Sequence, residues 1–238
     1  MLPLSTNIYA METTKKEIIK LLSEKSIIKY KAYDNTSSVF EEIRGLIADI
    51  TSDIKKAVSG LEINIPVEFK ERGKFEMEMR VASDLVLMTM HSNIFKIPKS
   101  HYVSQSPYLK QNKMRGYCGV INIYNFIADS FKYNRTNDFG YLIGRIFINH
   151  ENHFFVEGKK QLGFLFNDFS NQVISHEIIG KIINTAIIYS IQLDLIAPPL
   201  DSIQSISVGE MNQITSSISL KTGKKLGFRF NNEMENPH

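Results

Sequence analysis

The sequence predicts an α+β fold: N-terminal helices followed by a mainly antiparallel sheet and a long buried C-terminal helix. Three observations carry that expectation. Apolar residues recur at three- and four-residue spacing through the first sixty positions, switch to a period of two, and return to helical spacing after Ser175. The alternating segments come in pairs separated by short polar breaks, the mark of hairpins. The regular βαβα alternation of a doubly wound parallel sheet is missing.

Composition agrees with a folded domain. Of the 238 residues, 43% are hydrophobic and 22% charged, which excludes a disordered chain. The 13 Gly and 7 Pro follow no repeat, so the chain is not fibrous. One cysteine, Cys118, excludes an intramolecular disulfide framework and a Cys-rich zinc module. A chain of this size buries roughly 70–75% of the surface its unfolded form exposes, enough for a core without staples.

The elements follow in order. From Glu12 to about Lys25, Ile18, Ile19, Leu21 and Leu22 form an apolar set, leaving Lys15, Lys16, Lys20 and Glu24 to water. Asn35, Thr36 and Ser37 offer N-cap oxygens for a second helix, with Glu41 and Glu42 in its first turns. Its stripe runs from Val39 and Phe40 through Ile43, Ile47 and Ile54 to Val58, and Gly60 is placed to end it. Ile63 to Phe69 and Phe75 to Val81 alternate around Arg72-Gly73-Lys74, giving a hairpin whose wet side carries Glu68, Lys70, Glu76 and Glu78. Asp84 to Met90 reads as a third strand, apolar on both faces and therefore near the sheet centre. Phe95 to Gly116 is loop-like, and Tyr117 to Ile127 suits strand or helix.

Tyr141 to Ile148 and Phe154 to Val156 form a second hairpin turned by Asn149-His150-Glu151-Asn152, and Leu162 to Phe166 reads as a further strand. Ser175 caps a helix lined by Ile178, Ile179, Ile182, Ile183, Ala186, Ile187 and Ile191, stopped by Ala197-Pro198-Pro199. Its apolar surface is broad enough for burial between layers or for a dimer face. A last hairpin fits Ile218 to Phe230. The organisation expected is a single α+β domain over 1–198, with a helical layer at 12–60 and sheet plus helix at 61–198. A C-terminal extension occupies 199–238, and no internal repeat is present.

The start of the chain lacks a basic n-region and a long apolar h-region, and no stretch reaches the roughly 18 apolar residues of a membrane span. With a lone thiol, this predicts a cytoplasmic protein with no membrane association.

Chemical signatures are sparse. The phosphate-loop, dinucleotide, nucleophile-elbow and H-E-x-x-H patterns are all absent. Thr222-Gly223-Lys224-Lys225 reads as a hairpin turn, Cys118 as a small buried hydrophobe, and His150-Glu151-Asn152-His153 as a polar hairpin tip rather than a ligand set. Asp138 followed by Glu157-Gly158-Lys159 has the order of a restriction-type nuclease site, in which two carboxylates hold a divalent cation and the lysine helps activate water. Glu68-Phe69-Lys70 matches the same short pattern, so it has little specificity, and no catalytic residues are assigned.

The other signal is charge. The chain totals +3, yet residues 93–135 hold seven basic side chains and one acid, a local +6 on a body of −3. Tyrosines are interleaved with those bases. Lys110, Lys113, Arg115, Lys132, Arg135 and Tyr117 are the candidate contacts for a nucleic acid or other polyanion.

The leading expectation is a non-enzymatic ligand-binding, sensory or interaction protein. On that reading an apolar cavity with converging polar groups should exist, and Met77, Met79, Met88 and Met90 could offer an adaptable lining. A nucleic-acid-binding protein and the nuclease are the alternatives. No cofactor is expected, apart from a divalent metal under the nuclease alternative. A homo-oligomer is compatible with the sequence.

Overall fold

In the computed structural model, residues 4–136, 138–194, 207–209 and 211–212 are described. The chain opens on one long helical element. α1 (Leu4–Leu21) passes through a single π turn at Leu22–Ser26 into α2 (Ile27–Val58). The helical stripe expected on α2 is the buried one, with Phe40, Ile43 and Ile47 each at most 1% exposed. On the preceding segment Ile18, Ile19, Leu21 and Leu22 remain more than half exposed.

The helix does not restart at Asn35–Ser37. Thr36 donates its hydroxyl to the Ala32 carbonyl at 2.7 Å, and Asn35 Nδ2 donates to the Asn149 carbonyl at 3.0 Å. Both side chains find partners while the backbone stays helical, so the capping option is not taken. The N-cap expectation fails: Asn35 is taken by a tertiary contact and Thr36 bonds back to the preceding turn of the same helix.

Seven strands follow: β1 (Val67–Gly73), β2 (Glu76–Val81), β3 (Asp84–Met90), β4 (Phe95–Lys96), β5 (Tyr117–Ile127), β6 (Tyr141–Asn149) and β7 (Phe154–Gly158). They form one antiparallel sheet in the order β1-β2-β3-β5-β6-β7, with β4 also pairing β5. Both hairpins and the third strand form, although the first strand begins at Val67 and the 63–66 part of the alternation is not strand, and β3 lies inside the sheet with both faces covered. Tyr117–Ile127 resolves as strand.

The sheet has two differently covered faces. On one, α2 and α6 (His176–Ile191) pack over Met77, Met79, Met88, Ile121, Ile123 and Phe154 in the main core. The methionines are therefore core residues under helices. Ser175 caps α6 as expected, accepting from the Ile178 amide at 3.4 Å. α6 is buried along one face only, because Ile188 and Ile191 are 55% and 51% exposed. It ends at Ile191, ahead of the Pro198-Pro199 stop, and residues 195–206 and the Ile218–Phe230 hairpin lie outside the described residues.

The opposite face is covered by a second, smaller apolar cluster that includes Ile97, Val103, Tyr108, Leu109, Cys118 and Phe155. The segment expected to be loop supplies much of this cover. Besides β4 it contains 3₁₀ turns at Tyr102–Gln105 and Lys113–Gly116 and a short helix, α3 (Pro107–Gln111). Each begins on a side chain that accepts a backbone N–H: His101, Ser106 and Asn112. Caps of this kind contribute about 1 kcal/mol each, which lets turns too short to show periodicity hold a fixed path.

Two smaller expectations are corrected. Leu162–Phe166 is not a strand but falls on α5 (Gln161–Leu165) and its end; Leu162 and Phe166, four apart, are buried while Phe164 and Leu165 are exposed, which is helical spacing. The helix after β5, α4 (Ala128–Lys132), sets Phe131 edge-on to Phe126 at 5.0 Å. Glu78, expected on the wet side of its hairpin, is only 7% exposed, its carboxylate being held by Arg72 and lying 4.0 Å from Lys70. No helix among the described residues is long and apolar enough to cross a membrane.

Candidate ligand cavity

Strand register determines which polar groups meet on the face away from α2 and α6. Asn122 of β5 stands opposite Thr89 of β3 on one side and Arg145 of β6 on the other, and Arg145 stands opposite Glu157 of β7. The next row holds Val120, Phe147 and Phe155. A polar row thus lies beside an apolar one, because alternate residues of each strand share a face.

β4 pairs beside the start of β5, and the segment that follows it, residues 97–101, folds over these rows. Between them is a cavity of about 400 Å³. Phe147 and Phe155 stack nearly parallel, 4.6 Å apart at 2°, and with Val120 they make an apolar wall. Phe95, Ile97 and Pro98 also line it. Its polar complement comes from His91, His101, Asn122, Arg145 and Glu157; Lys96 borders it, but its ammonium lies over Tyr117 on the α2 side of the sheet.

The hydrogen bonds assign protons. Glu157 is bound by Arg145 through Nη2, and its Oε1 lies 2.5 Å from His101 Nε2. His101 Nδ1 accepts from the Val103 amide at 3.3 Å, so the ring proton resides on Nε2 and is donated to Glu157. Both ring nitrogens are spent, which leaves His101 without the free lone pair a general base requires. His91 differs: Nδ1 accepts from the Asn93 amide at 3.0 Å, leaving Nε2–H unpaired. Burial, reinforced by the Glu157 charge, pushes the nearby Tyr102 phenol above its ordinary pKa.

The sequence-derived site residues fall in separate places. Glu157 belongs to the cavity. Asp138 precedes β6, where it accepts from the Ser130 hydroxyl at 2.6 Å. Tyr141, the first residue of β6, already lies roughly 13 Å along the strand from Arg145, the partner of Glu157. Lys159 is exposed just past β7, its backbone N–H bonded to the Ile143 carbonyl at 2.9 Å. The two carboxylates thus belong to different hydrogen-bond networks. Among the described residues no group of three or more His, Cys, Asp or Glu gathers as a metal site would require.

The basic segment is divided by β5. Lys110, Lys113, Arg115 and Tyr117 lie at its start, Lys132 and Arg135 beyond its end, roughly 30 Å or more apart along the strand. Arg115 is engaged internally: Nε meets Glu151 at 3.0 Å, one Nη donates to the Tyr108 carbonyl at 3.1 Å, and the guanidinium lies 4.3 Å from the Tyr108 ring. Lys132 and Arg135 each lie over Tyr133, both at 5.3 Å. Tyr117 has three ammonium groups over its ring, from Lys25 and Lys29 of the long helix at 5.9 and 5.4 Å and from Lys96 at 5.4 Å.

The hairpin tip serves as a clamp. Glu151 accepts from the Tyr108 hydroxyl at 2.6 Å as well as from Arg115. His153 stacks on Tyr108 at 4.4 Å, with Nδ1 3.0 Å from the Phe169 carbonyl. Fully buried Asn149 donates to the Tyr108 hydroxyl at 2.9 Å and accepts the amides of Glu151 and His153. These bonds tie α3 to the β6–β7 turn and so fix the cover over the sheet.

Sequence reasoning missed His91, His101, Asn122 and Arg145. Alternation could have put Asn122 and Arg145 on the faces of their strands that carry Val120 and Phe147. Nothing in the sequence signals that Phe95–His101 folds over that face. The chain matches no family model, and no curated protein or solved structure matches it significantly.

Proposed function

We propose that this protein binds a small, largely apolar molecule in the cavity beneath Phe95–His101, as a non-enzymatic binding or sensory protein. The observation that carries the reading is a cavity of about 400 Å³ with aromatic and aliphatic walls and a few converging polar groups. Its size falls within the ordinary range for small-molecule sites. The spent nitrogens of His101 favour binding over acid–base chemistry, because the best-placed imidazole is committed to holding structure. A cytoplasmic location belongs to the same proposal, supported by a lone thiol that suits a reducing compartment.

The test is titration with the neutral fluorophore N-phenyl-1-naphthylamine. Saturable fluorescence enhancement with one site per chain is expected from the natural sequence. Val120→Phe, which fills the cavity from its wall, should abolish the enhancement while the protein still melts cooperatively. Equal enhancement in the filled variant overturns the reading.

A further inference from the structure

We infer that the cavity selects an anion, a small carboxylate carried on an apolar body; this rests on the ligand-binding reading above and specifies its ligand. The argument is one of unspent hydrogen-bonding capacity. Glu157 is the one carboxylate in the lining, and its two oxygens are occupied by His101 and Arg145. What faces a ligand is mostly donors. His91 keeps Nε2–H, because its Nδ1 is an acceptor for Asn93. Arg145 has five N–H groups, and its bond to Glu157 uses only Nη2. The Asn122 side chain, beside Arg145 in the register, has no hydrogen-bond partner among the described residues.

Charge points the same way. The cation whose head reaches the cavity is Arg145; Lys96 borders the lining but sends its ammonium over Tyr117, on the α2 side of the sheet. Lys96 also shares the Tyr117 ring with Lys25 and Lys29, and none of these three lysines has a carboxylate partner among the described residues. That uncompensated charge lies across the sheet from the cavity, so it acts on a ligand as a long-range field that raises the local concentration of anions. A carboxylate answers the guanidinium in a planar, charge-assisted geometry. The apolar part comes from the wall: Phe147 and Phe155, stacked face to face, offer their ring edges beside Val120 to an apolar body.

The test compares 2-naphthoate with 2-naphthamide, which share a ring and differ in charge, as competitors for bound N-phenyl-1-naphthylamine. The naphthoate is expected to displace the probe at about tenfold lower concentration than the amide, an advantage that shrinks as salt rises. Arg145→Gln should erase the advantage, because the charge of Glu157 is then left without its guanidinium partner. If the amide competes as well as the acid, or if the advantage survives both high salt and Arg145→Gln, the anion inference is overturned and the cavity reading stands. If neither competitor nor the fluorophore binds, the cavity reading itself fails.

Discussion

His101 Nε2 donates to Glu157 Oε1 across 2.5 Å, joining the segment above the sheet to strand β7 beneath it. The bond closes one side of the cavity, and the Val103 amide holds the ring in the tautomer that makes it. Glu157→Gln keeps the side-chain shape but removes the charge that both His101 and Arg145 answer. Loss of charge-assisted bonding should cost about 1–2 kcal/mol, discounted for partial exposure. Faster amide exchange is expected over 98–105, with β3 and β5 unchanged; equal protection throughout would remove the role given to this pair.

Gly119 and Thr36 show how closely α2 approaches the sheet. A methyl group on Gly119 would sit 2.2 Å from Thr36 Oγ1 and 2.7 Å from its Cβ. Gly119→Ala should therefore destabilise by about 2–3 kcal/mol through overpacking. Thr36→Gly relieves the clash, so the double variant should be more stable than the sum of the single effects predicts, by more than about 0.5 kcal/mol. Strict additivity in denaturant melts would contradict the contact.

Acid should weaken the hairpin clamp in two stages. Burial pushes His150 below its ordinary value of 6.5, outweighing the attraction of Glu151. At Glu151 burial acts upward, but the hydrogen bonds from Tyr108 and Arg115 and the Arg115 charge outweigh it, so its pKa falls below the ordinary 4.5. A lowered histidine and a lowered carboxylate both favour folding at higher pH. Stability is thus complete above pH 6.5, begins to fall below it as His150 resists protonation, and falls further below pH 4.5 as Glu151 is neutralised. Chemical melts from pH 8 to pH 3 should show that His150→Gln flattens the upper stage and Glu151→Gln the lower.

Cys118 is fully buried, and burial alone pushes its thiol far above the ordinary range. Only the thiolate reacts readily, so an aromatic disulfide reagent should leave it untouched in the native protein and modify one thiol per chain in denaturant. Rapid native labelling would show that the cover over β5 opens.

Much of the fold is legible in the sequence, for physical reasons that also mark where legibility ends. The α2 stripe and the β1–β2 and β6–β7 alternations are periodic over many residues, so burial on one face writes itself into the pattern. Asn35–Ser37 misleads because capping residues are indifferent to whether a helix starts there; Asn35 is drawn to the distant Asn149 carbonyl, and Thr36 bonds back to Ala32 within the continuing helix. The cover at 95–116 is built of turns of four or five residues, too short for a period. The cavity is harder still. Asn122, Arg145 and Glu157 are separated along the chain and meet only through register. The basic run, contiguous in sequence, is pulled apart by the 11-residue strand inside it.

The most direct test of the account is a map of backbone amide chemical shifts during titration with 2-naphthoate. Perturbations are predicted at Phe95–His101, Val120, Asn122, Arg145, Phe147 and Phe155, saturating together with one dissociation constant. Shifts confined to the exposed stripe at Ile18–Leu22, or scattered shifts without saturation, would contradict a binding site between the sheet and its cover.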